Sequence, residues 1–198
     1  MEKDFCCILY REPAIRAAIR RTARRLAQDY EGQTPVVVGI LKGAAFFMVH
    51  LVQELDMLLE IEFVQSSSYG SALRSSGRIK RGLDTKFEAK GRHVLLVDDI
   101  LDSGRTLSHF HAEFERRGAA SVRSAVLFDK PGARKIPYEA DYPGLTVPDV
   151  WLTGYSLDYK GLYRNCRFVG ILRETARIQG LTRAHLRRLV SEKKTRND

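Results

Sequence analysis

Val94-Leu95-Leu96-Val97-Asp98-Asp99-Ile100-Leu101-Asp102-Ser103-Gly104-Arg105-Thr106 sets an apolar run against two adjacent acids and a small polar turn. His93 to Val97 reads as a buried strand, too brief and too continuous for an amphipathic helix. A helix is expected from about Arg105 to Arg117, ended by Gly118. A strand, a tight turn and a helix N-terminus together make an anion site: successive backbone N–H groups and the Ser103 and Thr106 hydroxyls can cradle a phosphate, and Gly104 lets the backbone come close. The acids cannot share that phosphate. Asp98 and Asp99 must face hydrogen-bond donors or a cation, and vicinal sugar hydroxyls beside a divalent metal meet both needs. A phosphorylated ribose is the ligand class implied. An Asp-Ser-Gly turn alone reads better as a helix cap; its conjunction with two acids on a buried strand favours the ligand site.

Upstream, Glu12 to Tyr30 places Ile15, Ile19, Ala23, Leu26 and Tyr30 at helical spacings with arginines on the other faces, and Gly32 ends the helix. Val36 to Leu41 reads as a strand and Gly43 to Leu55 as an apolar helix; Leu58 to Val64 reads as a further strand. Residues 66 to 90 are rich in Ser, Gly, Arg and Lys, and structureless loops beyond about 12 to 15 residues are usually lids or binding segments. Downstream, strands are expected near Ser121 to Phe128, Lys135 to Tyr142, Val147 to Thr153 and Arg167 to Leu172, with a basic helix near Thr182 to Lys193. Strands alternating with helices imply an α/β fold with a largely parallel sheet, whose ligand crevice lies at the carboxyl ends of the strands.

The 198 residues are enough for one domain with its own core. The longest apolar run, Gly43 to Val49, is far below the ~18 residues of a membrane span, and MEKDFCCILY lacks a secretion signal, so a cytoplasmic protein is expected. Cys6, Cys7 and Cys166 have no metal-ligand spacing and read as reduced thiols. The net charge of +9 invites a nucleic-acid reading. Its distribution argues otherwise: residues 11 to 25 and 173 to 198 each carry +5, while 26 to 172 holds eighteen charges of each sign.

The Val94 to Thr106 string resembles the phosphoribosyl-pyrophosphate signature of type I phosphoribosyltransferases, and residues 10 to 175 resemble the hypoxanthine-guanine branch. Leu41-Lys42-Gly43 is similar to that family's pyrophosphate loop, which carries a cis peptide between its first two residues. Ser68-Tyr69 is similar to the start of its mobile catalytic loop. Phe128-Asp129-Lys130-Pro131 resembles the strand end whose lysine reads the purine, and Trp151-Leu152-Thr153-Gly154-Tyr155-Ser156-Leu157-Asp158-Tyr159 the purine-stacking and magnesium segment, with Arg164 at the family's spacing. The fold implied is a type I phosphoribosyltransferase: a parallel twisted sheet flanked by helices, with a small hood lobe from the chain ends. One domain over 1–198 is expected, with a core of about 30–130, a hood from about 1–15 and 131–172, and a basic tail over 173–198.

The resemblance implies transfer of a 5-phosphoribosyl group from phosphoribosyl pyrophosphate to N9 of a 6-oxopurine, with Mg²⁺. Asp98 and Asp99 would hold the ribose hydroxyls; Ser103, Gly104, Arg105 and Thr106 the 5′-phosphate; Leu41, Lys42, Gly43 and Arg164 the pyrophosphate. Asp102 would accept the N7 proton as catalytic base. Lys130 would donate to O6 and disfavour adenine, Trp151 would stack on the base, Leu152 would meet its pyrimidine edge, and Asp158 would join the purine site and the metal's shell with Asp98 and Asp99. Two departures stand out: Asp98 replaces a glutamate common there, and Arg105 a frequent lysine. A homodimer or homotetramer is expected, with no membrane and no nucleic acid. Two other readings stay open, an RNA-binding regulator on the same fold and a xanthine-preferring enzyme; the few aromatics at the charged ends weigh against the first.

Overall fold

The computed structural model describes residues 1–65 and 87–196. The chain runs through β1 (Phe5–Arg11), α1 (Glu12–Asp29), β2 (Val36–Leu41), α2 (Ala45–Gln53) and β3 (Glu60–Gln65). β4 (His93–Leu101), α3 (Arg105–Arg116), β5 (Ser121–Asp129) and β6 (Tyr142–Thr146) follow, then β7 (Phe168–Leu172), α4 (Arg173–Ile178) and α5 (Arg183–Arg196). Ser68, Tyr69 and most of the expected loop lie outside the described residues.

Five strands form one parallel sheet in the order β3-β2-β4-β5-β6. Alternation along β4 supplies both of its faces. Leu95 and Val97 join a core with Ile15, Ile19 and Leu26 of α1 and Phe47 and Leu51 of α2. Val94 and Leu96 join a second core with Leu107, Phe110 and Phe114 of α3. Successive side chains of a strand point to opposite faces, so a continuous apolar run is what a doubly covered strand requires. α1 buries Ile15, Ala18, Ile19, Thr22, Ala23 and Leu26 at helical spacing, with Pro13 in its first turn, where a missing N–H costs nothing.

From β2 the chain passes through α2 to β3 on one side, then returns to the other side of β2 as β4. The reversal opens a crevice between the carboxyl ends of β2 and β4. β4 is longer than its apolar pattern predicts: β5 stays paired alongside it through Ile100↔Phe128 and Leu101↔Asp129. Asp98 and Asp99 are therefore inside a buried strand and not beyond its end.

A second sheet pairs β1 with β7, antiparallel, with Phe5↔Leu172 and Arg11↔Phe168 in register. Neither β1 nor α4 is predicted by the sequence pattern. The strands expected at Lys135 to Tyr142 and Val147 to Thr153 do not form. The backbone N–H groups of Lys135 and Ile136 instead donate to Ser103 O, and Thr153 makes only an isolated bridge to Gly170. β6, within the span expected for the hood, extends the main sheet. Part of α1's positive charge serves this edge: Arg21 donates to Gly144 O at 2.8 Å, Arg25 to Asp141 O at 3.2 Å, and the Arg25 guanidinium lies over the Tyr142 ring. The cysteines form no disulfide. Among the described residues no helix is long and apolar enough to cross a membrane.

Candidate active site

The crevice is a cleft of about 710 Å³. β4 brings Asp98 and Asp99 to its floor, both less than a tenth exposed. The Asp99 N–H donates to Asp98 Oδ1 at 2.9 Å. Burial, and next the neighbouring Asp99 charge, pushes the Asp98 carboxyl well above the usual range. Burial also raises Asp99, countered by its hydrogen bond with Asp98 and by the Arg164 charge. Two desolvated carboxylates with so few donors suit a ligand that brings hydroxyls or positive charge. Asp99 also explains Gly43: a Cβ there would lie 2.5 Å from Asp99 Oδ2. The loop after β2 thus rests on the acid, and its Leu41–Lys42 peptide is cis.

After β4 the chain turns through Asp102, Ser103 and Gly104 into α3. Gly104 caps the helix with φ 83°, a left-handed conformation that glycine adopts without penalty. Asp102, Ser103, Gly104 and Thr106 line the cleft. Arg105, the first residue of α3, is not part of that lining. It lies about 200° around the helix from Leu107, which is turned into the core, so its side chain faces outward and is exposed.

Across the cleft, Lys130 follows β5. Its ammonium, 8% exposed, donates to Asp102 Oδ2 at 2.9 Å, while the Asp102 side chain is half-exposed. The far wall comes from the 151–164 segment. Trp151 lines the cleft and is 46% exposed, so its ring is not a core aromatic. Leu152, next along the chain, is buried and also lines the cleft. Arg164 donates to the Ser156 carbonyl and pairs with Asp158, and its Nη1 lies 3.8 Å from Asp99 Oδ2. Leu41, Lys42 and Gly43, in the loop after β2, complete the lining.

Three residues at the site have no individual role in the sequence pattern, although Ser156 lies inside the 151–159 motif. Ser156, fully buried, donates its hydroxyl to Gly43 O and ties the 151–164 segment to the loop after β2. Gln65, the last residue of β3, also lines the cleft. Arg134 binds the turn from behind, with Nη1 at 2.5 Å from Leu101 O and 2.7 Å from Asp102 O.

Among the described residues no three carboxylate, imidazole or thiol groups gather into a metal cage. Magnesium needs only one or two carboxylates when phosphates and waters complete its shell, and Asp98, Asp99 and Asp158 in the cleft supply such oxygens. The donor set fits Mg²⁺ arriving with a phosphorylated ligand.

Comparison with known proteins agrees with this geometry. Residues 8–160 match the model of the phosphoribosyl transferase domain. The hypoxanthine-guanine phosphoribosyltransferase of Streptococcus pneumoniae is 42% identical over 174 residues, covering 88% of this chain and 97% of that protein. The bifunctional protein TilS/HprT of Listeria innocua is 43% identical over 87% of this chain, which spans only 27% of that longer protein. A crystal structure of a hypoxanthine phosphoribosyltransferase from Staphylococcus aureus superposes with a TM-score of 0.81 at 36% identity, covering 90% of this chain and 96% of that one.

Proposed function

We infer the reaction from a premise that these likenesses establish: the chain belongs to the hypoxanthine-guanine phosphoribosyltransferases of the type I phosphoribosyltransferase family. It is an enzyme of purine salvage. The reaction proposed is transfer of the 5-phosphoribosyl group from phosphoribosyl pyrophosphate to N9 of hypoxanthine or guanine, giving IMP or GMP and pyrophosphate. One observation carries the roles: Asp102 stands between a turn shaped for phosphate and the buried ammonium of Lys130, in a single cleft.

In this reading Ser103, Gly104 and Thr106 hold the 5′-phosphate through backbone N–H and hydroxyl groups. Asp98 and Asp99 accept hydrogen bonds from the ribose hydroxyls, which replace the water their burial removed. As the bond from C1′ to pyrophosphate breaks and the bond to N9 forms, the Asp102 carboxylate takes the purine N7 proton. Lys130 donates to O6, and Trp151 covers the ring. Negative charge gathers on the departing pyrophosphate, and Lys42, Arg164 and the loop at 41–43 stand at that end to receive it. Asp158, with Asp98 and Asp99, would hold Mg²⁺, which would add to the neutralisation of that leaving group.

A cytoplasmic setting suits three cysteines that make no disulfide. Self-association is supported by Phe46 and Val49 on α2 and Ile61 and Phe63 on the edge strand β3, which are exposed apolar side chains. The reaction is tested with hypoxanthine, guanine, xanthine, adenine and uracil, each with phosphoribosyl pyrophosphate and Mg²⁺, and chromatography of the nucleotide. IMP and GMP are expected. Absence of nucleotide from every oxopurine would overturn the assignment, and tight RNA binding in that case would mark a regulator.

A further inference from the structure

We propose that Arg134 is a positioning residue for the 5′-phosphate turn, aiming the turn's N–H groups into the cleft by holding the carbonyls behind them. The proposal rests on the phosphoribosyl reading of that turn.

The Arg134 guanidinium is largely buried and spends every face on fixed acceptors. Nη1 is shared among Leu101 O at 2.5 Å, Asp102 O at 2.7 Å and Lys130 O at 3.0 Å. Nε donates to Tyr138 O at 3.0 Å, and Nη2 pairs with the Asp129 carboxylate. The surrounding backbone acts in the same direction. Lys130 N–H donates to Leu101 O at 3.0 Å, and the N–H groups of Lys135 and Ile136 reach Ser103 O at 3.1 and 3.3 Å. Three consecutive carbonyls, Leu101, Asp102 and Ser103, are thus drawn towards the 130–138 segment.

A trans peptide points its C=O and N–H to opposite sides. With those carbonyls drawn back, the N–H groups of Asp102, Ser103 and Gly104 turn away from the 130–138 segment, and these three residues line the cleft. Four hydrogen bonds from two side-chain nitrogens to the backbone are hard to explain as packing alone. An ion pair with Asp129 would need one. The planar fork is required because Tyr138 O and Leu101 O lie off different nitrogens, a span that one ammonium cannot bridge. Because Nη1 also touches Lys130 O, one guanidinium supports both the phosphate turn and the chain that carries the purine-reading lysine.

The test uses Arg134→Lys, which keeps the charge and removes the fork, and Asp129→Asn, which loosens the guanidinium's anchor. Ribose 5-phosphate affinity is measured by calorimetry, and kcat and KM for phosphoribosyl pyrophosphate at saturating hypoxanthine, well below each variant's melting temperature. For Arg134→Lys, ribose 5-phosphate should bind about tenfold more weakly, with KM raised similarly and kcat within about threefold, the scale of one lost charge-assisted hydrogen bond. Asp129→Asn should move the same two quantities in the same direction by a smaller factor, and decides the matter alone if Arg134→Lys does not fold. Ribose 5-phosphate binding unchanged within twofold, or a loss confined to kcat, would overturn the proposal. A wild type that forms no nucleotide from any oxopurine would instead refute the assigned reaction, while the ribose 5-phosphate comparison would still read the role of Arg134.

Discussion

Lys130 Nζ stands 2.9 Å from Asp102 Oδ2, with the cation buried and the carboxylate half in solvent. The pair is asymmetric, and so are the consequences of breaking it. Removing Asp102 strands a desolvated ammonium, whereas removing Lys130 leaves a carboxylate that water can reach. Asp102→Ala should therefore lose about 1–3 kcal/mol of stability in chemical denaturation, as expected for a buried charge deprived of its partner. Its turnover should fall about 10²–10⁴-fold, the range of a missing general base, while phosphoribosyl pyrophosphate still binds. Near-normal turnover would remove Asp102 as the base.

Lys130→Met addresses selectivity from the other side of the pair. Without the ammonium the site no longer offers a donor to O6, and the 6-amino group of adenine meets no opposing cation. The ratio of kcat/KM for adenine to that for hypoxanthine should rise about tenfold or more, since each tenfold step is about 1.4 kcal/mol. An unchanged ratio in competition assays would defeat the O6 assignment.

Gly104→Ala combines two penalties. The position has φ 83°, and an added Cβ would sit 3.1 Å from Ile136 Cγ1 and 3.2 Å from Tyr138 Cβ. The left-handed backbone alone costs an alanine about 1–2 kcal/mol. A lower melting temperature and a higher KM for phosphoribosyl pyrophosphate should appear together. A weakened fold with an unaltered KM would mean that the turn does not contact the phosphate.

His50 provides a pH test away from the cleft. Its Nδ1 lies 2.6 Å from the Tyr155 hydroxyl, joining α2 to the 151–164 segment. Burial, and then the Arg16 charge, holds its pKa below 6.5. A group with a folded-state pKa below its unfolded value contributes stability above the unfolded pKa, and that stability is lost as pH falls through the folded pKa. Melting temperature should therefore fall as pH drops below about 6.5, more steeply for the wild type than for His50→Gln. Parallel profiles would show that the contact does not report on the imidazole charge.

The sequence showed what local periodicity and local chemistry encode. Val36 to Leu41 was legible to the residue because a short β-branched run can hardly be anything else, and α1 because its buried positions recur at helical spacing. The end of β4 was not, because Ile100 and Leu101 are extended through pairing with β5, a tertiary fact. β1 was missed because its partner, β7, lies at the other end of the chain. At the site, residues that would act through side chains on a ligand announced themselves as motifs. Arg134 did not, and Ser156 lay inside a motif without showing its role, since their acceptors are main-chain carbonyls, which leave no trace in residue type.

The pairing of β1 with β7 also orders events during synthesis. Every strand of the main sheet has been made once the ribosome has passed Thr146, so the sheet and the phosphate turn can assemble while translation continues. Phe5 to Arg11, made before any strand of the main sheet, has no strand to join until Phe168 to Leu172 emerge. A nascent chain stalled between these points would hold the complete five-stranded sheet and an unmated, largely apolar β1. Phe5 and Leu9 are buried in the finished protein, so charged substitutions there should lower the yield of soluble enzyme more than equivalent changes at the exposed positions of α5.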